Sequence, residues 1–348
     1  MRFGLAGAGC IGQIRARALS QVAGAKLAAV FDVDEGAARG LADRAGAAHS
    51  RDFGAMLERE DVDAVLVCSP PPYHEDQVLA SLEAGKHVLC EKPLSNNVDA
   101  CRRMVAAARA ADRVLATGFN HRYFPAVQTV KQAIDGGQIG QLDHVRAFAG
   151  HVGLSQFRSP WEYDARVVGG GALMDVGIHL IDLTSYLLGD VDEVYGATTN
   201  RVWNLEGAED NGFALLRSSA GRYATLQASW SEWKGYRFHL DAYGDRGVAR
   251  AYYAPMFSSV IRLEKPGGRP RRSVKLYPKT IVQEKLRGWE WTVERTFRQE
   301  LNDFCDRCAG NADGALADGF AGLRAVEIAN AVYRCTELRE PIRLSRPS

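Results

Sequence analysis

The chain has 348 residues, of which 46% are hydrophobic and 24% charged, and its formal net charge at pH 7 is +1. This length allows two or three domains with cores of their own, and the near-neutral charge argues against bulk attraction to nucleic acid or anionic lipid. The sequence shows no uninterrupted apolar run of membrane-spanning length, so a membrane is not an expected partner. Because of the near-neutral charge, a nucleic acid is not an expected partner either.

The first predicted element is a short apolar strand that runs directly into a glycine-rich turn and then a helix. The turn has the spacing G-x-G-x-x-G, in which the glycines allow a tight turn, close approach to a pyrophosphate and close packing of helix on strand. The free N–H groups at the start of the helix then favour phosphate binding. The candidate phosphate-binding residues are Gly7, Gly9, Cys10, Ile11 and Gly12.

A second apolar strand ends at Asp32, which lies 20 positions after Gly12 (32 − 12). At this position the dinucleotide fingerprint has a carboxylate for the ribose hydroxyls of adenosine. The acidic run from Asp32 to Glu35 disfavours a 2′-phosphate, so the sequence predicts NAD rather than NADP as the cofactor. The alternative to this dinucleotide-binding fingerprint is an ordinary strand–turn–helix unit.

Strand-like runs at 64–68, 87–93 and 114–119 alternate with helical patterns. This alternation predicts an α/β fold, a doubly wound Rossmann sheet of parallel strands, over residues 1–120. Ligands bind at the carboxyl ends of such strands. The candidate residues there are Ser69, Pro70, His74, Glu91 and Lys92, although a surface loop histidine is an alternative for His74.

Beyond residue 120 the strands follow one another with few helices between them. This pattern predicts a C-terminal α+β domain with a mainly antiparallel sheet over residues 121–348. Basic side chains between Arg269 and Lys275 lie among Gly and Pro residues, and we interpret them as a solvated hairpin loop rather than a nucleic-acid patch.

One segment of this second domain carries candidate chemistry. Three consecutive glycines, 169–171, precede an apolar helix whose polar residues Asp175, His179 and Asp182 are spaced i, i+4, i+7 and therefore share a face. A carboxylate can orient a nearby histidine and tune its pKa for general acid–base catalysis. The alternatives are an N-cap aspartate with a core histidine, and a metal pair, which is weak because two ligands do not fill a coordination shell.

Seven cysteines, an odd number, spread over predicted strands and helices favour reduced thiols and a cytoplasmic location. Cys305 and Cys308 form a C-x-x-C within an amphipathic helix, where helix packing explains them better than zinc. No metal site is expected. Because residue 2 already belongs to the first strand, no signal peptide is expected either.

Together these segments resemble the Gfo/Idh/MocA family of dehydrogenases, named after glucose–fructose oxidoreductase, inositol dehydrogenase and a rhizopine-catabolism protein. The resemblance covers essentially the whole chain and is most specific at residues 84–93, which end in Glu-Lys-Pro, and at the Gly-Gly-Gly segment with Asp175 and His179. A second Glu-Lys-Pro at 264–266 lacks the buried strand before it.

The resemblance implies roles for individual residues. Lys92 resembles the catalytic lysine of the family, and Asp175 and His179 resemble its catalytic Asp and His. Arg122 falls in a segment that borders the family's substrate pocket. The candidate substrate-binding residues are Lys92, Arg122, Trp161, Tyr163, Asp175 and His179.

The expected function is that of an NAD-dependent oxidoreductase that moves a hydride between the nicotinamide and a secondary hydroxyl or ketone of a sugar, an inositol-like polyol or a sugar derivative. Two alternatives remain: a reductase of a keto-sugar or nucleotide-sugar in a biosynthetic pathway, and a non-catalytic dinucleotide-sensing regulator on the same fold. Family members commonly pair through the second sheet, so a homodimer or homotetramer is expected.

Overall fold

The computed structural model of the protein describes residues 1–157, 159–311 and 314–345. Its packing divides the chain into two compact units, each built from two segments. The first unit comprises Met1–Tyr123 and Leu286–Val326, and the second comprises Phe124–Lys285 and Glu327–Ser348. This division differs from the linear one at residue 120, because a C-terminal segment packs into the first unit.

The secondary structure alternates strands and helices in the first third of the chain and has successive strands later. The strands are β1 (Arg2–Ala6), β2 (Lys26–Phe31), β3 (Ala48–Ser50), β4 (Ala64–Val67), β5 (His87–Cys90), β6 (Leu115–Thr117), β7 (Leu142–Gly150), β8 (Val191–Thr199), β9 (Asn211–Ser218), β10 (Tyr223–Ser229), β11 (Arg237–Gly244), β12 (Gly247–Tyr253), β13 (Phe257–Arg262), β14 (Arg271–Leu276) and β15 (Ile342–Arg343).

The helices include a short π-helical turn at Leu173–Gly177, which runs directly into α8. The α-helices are α1 (Cys10–Leu19), α2 (Glu35–Ala45), α3 (Phe53–Leu57), α4 (His74–Glu83), α5 (Val98–Ala111), α6 (Pro125–Asp135), α7 (Ala165–Val168), α8 (Ile178–Leu188), α9 (Pro278–Arg287), α10 (Glu290–Cys308) and α11 (Gly319–Leu338).

The first unit contains a six-stranded parallel sheet with the strand order β3-β2-β1-β4-β5-β6. The predicted doubly wound Rossmann sheet is therefore confirmed. Strand order reverses between β1 and β4, and ligands of such sheets bind in the crevice at the carboxyl ends of the strands there. The segments that follow β1, β2, β4 and β5 carry the predicted cofactor-binding residues.

Helix α10 belongs to the first unit because its apolar side chains complete the core of that unit. Phe297, Leu301 and Phe304 are spaced i, i+4, i+7, and all three are buried in the cluster that also contains Phe3 of β1. The Phe3 and Phe304 rings lie 6.1 Å apart. A helix distant in sequence thus shares the core of the N-terminal strands.

The second unit contains a nine-stranded sheet with the order β14-β13-β12-β11-β7-β10-β9-β8-β15. All the neighbouring pairs are antiparallel except β7 with β10, which run parallel, so the predicted mainly antiparallel sheet is confirmed. Residues along β9 and β10 alternate between buried and less buried positions, and α8 packs on the buried side.

The strands from β12 to β14 were not predicted from the sequence. Every residue of β14 is exposed at the sheet edge, so its sequence lacks the alternation that marks a half-buried strand. Arg271, Arg272 and Lys275 of the basic cluster lie on this edge strand, where the sequence predicted a hairpin loop. Charged side chains on an edge strand also discourage unwanted strand pairing.

One helical stretch, Ala165–Leu188, is long and apolar enough to cross a membrane by length and composition. The sequence predicts no uninterrupted apolar run here, because scattered polar residues interrupt the stretch. In the structure 78% of its most apolar window is buried inside the protein. Core helices pass the same test, so this stretch is weak support for a membrane span.

Candidate active site

The glycines of the loop after β1 differ in how closely other protein atoms surround them. Gly7 has a φ of 98°, and a Cβ there would lie 2.6 Å from the backbone of Cys68. A Cβ on Gly12 would overlap the carbonyl oxygen of Gly7. A Cβ on Gly9, in contrast, would meet no protein atom within 4 Å. Gly7 and Gly12 are therefore required by packing, whereas Gly9 leaves open space beside the chain.

That open space lies at the start of α1, whose N-cap is Gly9. Because glycine has no side chain, the first N–H groups of this ten-residue helix, which begins with Cys10 and Ile11, are not capped from that position. An uncapped helix start and a bare backbone suit a dinucleotide pyrophosphate. The residues present thus fit the cofactor that the fingerprint predicts.

Asp32 lies beside this loop at the end of β2. Its Oδ2 accepts a hydrogen bond from the backbone N–H of Ala8 at 2.6 Å, and its Oδ1 accepts one from Asp34 at 2.9 Å. The carboxylate is therefore fixed next to the turn. Arg39 and Arg51 both donate to Glu35, whose carboxylate offsets one of their two positive charges.

His74 connects the two loops that follow β4 and β5. It is fully buried, with Nε2 at 2.7 Å from the carbonyl oxygen of Ser69, which Pro70 follows, and Nδ1 at 3.1 Å from that of Pro93. The alternative of a surface loop histidine is thus wrong. Burial lowers the pKa of His74, although its carbonyl neighbours oppose that shift. The ring fixes the turn that carries Lys92.

Glu91, next to Lys92, belongs to a buried charge cluster that the sequence reading missed. Glu91 Oε1 accepts from Arg15 Nε at 2.7 Å, and Arg15 Nη1 donates to Glu300 Oε2 at 2.5 Å. The Glu91 Oε2 atom also accepts from the N–H of Lys92 at 3.3 Å. The sequence does contain one signal for this cluster: Arg15 lies four residues after Ile11 and therefore on the apolar face of α1.

The Gly-Gly-Gly segment comes close to Glu209 and Tyr333 within the second unit. A Cβ on Gly171 would overlap the backbone of Glu209, and one on Gly170 would overlap the Tyr333 hydroxyl. Glu209 accepts hydrogen bonds from the N–H groups of Gly171 and Leu173, both at 2.7 Å. Glu209 therefore caps this helix start, which Asp175 had been considered to do.

Asp175 lies inside the π-helical turn, and such turns are frequent at functional sites. Its Oδ2 accepts from His151 Nε2 at 2.8 Å and from Trp230 Nε1 at 3.0 Å. Burial, and then the charge of Asp175, raise the pKa of the nearby Tyr236 hydroxyl. His151 follows β7 and was missed, because nothing in the local sequence links it to a residue 24 positions later.

The other predicted site residues occupy varied environments. His179 is 6% exposed and Asp182 is buried, and both lie on α8. Arg122 is buried in the first unit, with Nη1 at 3.4 Å from the carbonyl oxygen of Ala315. Trp161 is 41% exposed, and Tyr163 lies next to Phe157, with 6.0 Å between ring centroids. Their roles toward a substrate stay predictions.

The sequence matches known proteins across both units. Residues 1–119 match the family model described as oxidoreductase family, NAD-binding Rossmann fold, and residues 127–250 match the one described as GFO/IDH/MocA C-terminal domain. The chain belongs to the Gfo/Idh/MocA family. The resemblance found in the sequence is thereby confirmed, and the first unit is the NAD-binding domain of a family member.

Individual relatives cover almost the whole chain. A myo-inositol 2-dehydrogenase of Thermotoga maritima is 33% identical over 94% of this chain and 96% of its own. An inositol 2-dehydrogenase of Saccharopolyspora erythraea is 32% identical over 94% of this chain and 91% of its own. The crystal structure of a putative myo-inositol dehydrogenase from Sinorhizobium meliloti has a TM-score of 0.80 and 26% identity, and covers 99% of this chain and 100% of that one.

These relationships establish the general activity. This Gfo/Idh/MocA protein is an NAD-dependent oxidoreductase that acts on CH–OH groups of polyols or sugars. The purely regulatory alternative is thus set aside. Among the described residues, no group of three or more His, Cys, Asp or Glu side chains is arranged to hold a metal ion.

Proposed function

We propose that this enzyme oxidises a secondary ring hydroxyl of an inositol-like cyclitol, with NAD as the hydride acceptor. The observation that carries the proposal is the fixed Asp175 carboxylate, held by His151 and Trp230 four residues before His179. An ordered carboxylate close in sequence to a buried histidine suits acid–base chemistry at a hydroxyl. Relatives named as inositol dehydrogenases support the cyclitol as substrate.

In the proposed mechanism His179 removes the proton of the substrate hydroxyl while a hydride leaves the carbon that bears this hydroxyl. The nicotinamide supplies the hydride-accepting chemistry when bound. The amine of Lys92 stabilises the developing alkoxide. Asp175 holds the reacting groups in register. In the reverse direction His179 or Lys92 returns the proton to the ketone oxygen.

The proposal is tested by following NAD reduction with a panel of cyclitols, hexoses and acyclic polyols. We expect the highest kcat/KM for a cyclitol such as myo-inositol, because only a cyclitol combines a ring with secondary hydroxyls on every carbon. A panel in which aldoses react well and every cyclitol is inert would contradict the substrate assignment. Reduction of keto-sugars with NADH, in the same series, tests the biosynthetic alternative.

We also propose that the enzyme is a homodimer or homotetramer that pairs through the uncovered face of the nine-stranded sheet. Tyr195, Phe213 and Leu215 are 48%, 40% and 42% exposed on β8 and β9, where Tyr195 pairs with Leu215. Neighbouring exposed apolar side chains of this kind typically mark an interface. Every copy of the chain has this face, so a two-fold pairing buries the face of both copies.

Light scattering tests this pairing. A monomeric wild-type mass at micromolar concentration would contradict it. We expect Phe213→Asp to dissociate the assembly, whereas Val274→Asp, which changes an exposed apolar residue of the edge strand β14, serves as the control.

A reducing compartment, most simply the cytoplasm, is the proposed location. All seven cysteines are thiols rather than disulfides in the structure, and Cys90, Cys101 and Cys335 are buried. Free thiols persist where glutathione and thioredoxin keep them reduced. Fractionation of the source cells, with the enzyme detected by its NAD-dependent activity, tests this location.

A further inference from the structure

His151 and Trp230 reach Asp175 from the ends of two adjacent parallel strands. β7 and β10 pair in register up to Gly150 and Ser229, so the next residue of each strand emerges at the same edge of the sheet. The His151 N–H donates to the Ser229 carbonyl at 3.0 Å, and the His151 carbonyl accepts from Glu232 at 3.1 Å. The backbone that carries the imidazole is therefore fixed on both sides.

The imidazole of His151 has only one tautomer that satisfies both of its neighbours. The backbone N–H of Gly153 donates to Nδ1 at 3.1 Å, so Nδ1 must be the acceptor. Nε2 then carries the hydrogen and donates it to Asp175 Oδ2. The His151 side chain is only 4% exposed and packs perpendicular to the Phe157 ring, with 5.4 Å between ring centroids, which leaves little room for the imidazole to turn.

We propose that His151 is a positioning residue of the reaction: its neutral imidazole fixes one oxygen of Asp175 and keeps that carboxylate ionised and oriented. This inference rests on the proposed function, in which Asp175 serves the acid–base step. Two neutral donors on Oδ2 stabilise the negative charge without adding a countercharge. Trp230 supplies the second of these donors and, being fully buried, cannot move aside.

Removing the His151 donor to Asp175 should change both kcat and the pH dependence of kcat/KM. A carboxylate that loses a hydrogen bond is protonated at higher pH, so the acidic limb of kcat/KM should move to higher pH. His151→Phe removes both ring nitrogens, and we expect it to lower kcat roughly ten- to hundredfold, because hydrogen bonds to charged groups are of that strength. His151→Gln keeps an N–H near the Nε2 position and should restore most of the activity and the original pH limb.

His144 provides a matched control on the same strand, since its imidazole also bonds an aspartate, Asp143, at 2.7 Å but is exposed. His144→Phe should leave kcat and the pH profile unchanged. A His151→Phe enzyme with the wild-type acidic limb would overturn the proposal, as would a His151→Gln enzyme as impaired as His151→Phe. Should His151→Phe fail to fold, the Gln variant and the measurement below carry the test.

A second measurement needs no substrate and is independent of the proposed function. In ¹⁵N-histidine-labelled enzyme, the His151 resonances are those lost in His151→Gln, and their shifts report the tautomer. We expect a neutral ring with the hydrogen on Nε2 at pH 7, and a changed Nε2 shift in Asp175→Asn. An imidazolium, or a hydrogen on Nδ1, would overturn the positioning role even if cyclitols prove to be substrates.

Discussion

Arg15 Nη1 lies 2.5 Å from Glu300 Oε2, and neither side chain is exposed to solvent. The same guanidinium also bonds Glu91, so two carboxylates share this buried cation. Burial alone would lower the pKa of Arg15, but Glu91 and Glu300 raise it overall.

Glu300 holds a proton near neutrality, since burial raises its pKa to about 7 from the ordinary 4.5. The folded state then binds this proton more tightly than the unfolded state between pH 4.5 and 7. Stability consequently falls as the pH rises through this window, by roughly 3 kcal/mol from this group. We expect Glu300→Gln, which stays neutral, to gain in thermal midpoint relative to wild type between pH 5 and pH 8.

Thermal unfolding of both proteins at the two pH values measures this difference. Glu294→Gln is the matched control, because Glu294 lies on the same helix but pairs with Arg17 at the surface. An equal midpoint difference between Glu300→Gln and wild type at both pH values would show that Glu300 titrates in its ordinary range.

Substitution of Gly9 should weaken NAD binding, whereas substitution of Gly12 should destabilise the fold. Gly9→Ala places a methyl group in space that holds no protein atom, so the thermal midpoint should stay within experimental error. NAD affinity should nevertheless fall about tenfold or more, because the methyl group occupies the approach of the pyrophosphate. Gly12→Ala overlaps the Gly7 carbonyl and should destabilise the fold by several kcal/mol.

Calorimetric titration with NAD and thermal unfolding of both variants check this separation. Undiminished NAD affinity in Gly9→Ala would mean that the dinucleotide does not approach the backbone at this glycine.

Asp32 should decide the choice between NAD and NADP. Asp32→Ala removes an acceptor for the ribose hydroxyls and a repulsive charge, and we expect NAD affinity to fall about tenfold while NADP binding strengthens. Dissociation constants for both dinucleotides give the ratio. Asp34→Ser is the control, because it removes a carboxylate two residues away and keeps a helix cap. Tighter binding of NADP than NAD by the wild type would refute the role of Asp32.

The sequence predicted those parts of the fold and site that depend on neighbouring residues. The glycine loop, Asp32 and the alternation of the parallel strands are local patterns, and the structure confirms both sheets. The contacts of Arg15 with Glu300, and of His151 with Asp175, join residues that only the folded chain brings together. Helical spacing predicted that Asp175 lies near His179, whereas no local pattern predicted the donors His151 and Trp230, which follow the ends of two strands.

Lys92 and His179 should behave as parts of one catalytic machinery. We expect Lys92→Ala and His179→Ala each to lower kcat roughly a hundredfold or more, because each loses charge stabilisation or proton transfer at the reacting hydroxyl. NAD affinity should change little, since the ribose and pyrophosphate contacts are made by other residues. Lys86→Ala is the control for Lys92, because Lys86 also lies near β5 but donates to the Arg59 carbonyl.

The double variant of Lys92 and His179 distinguishes joint action from two separate contributions. Groups that serve one transition state are non-additive, so the double variant should be scarcely slower than either single one. Steady-state kcat on the best substrate of the panel, together with NAD dissociation constants, measures this for all four proteins. Near-normal turnover of His179→Ala would make His179 a core histidine of α8 without a role in proton transfer. Multiplied losses in the double variant would instead assign Lys92 and His179 to independent steps.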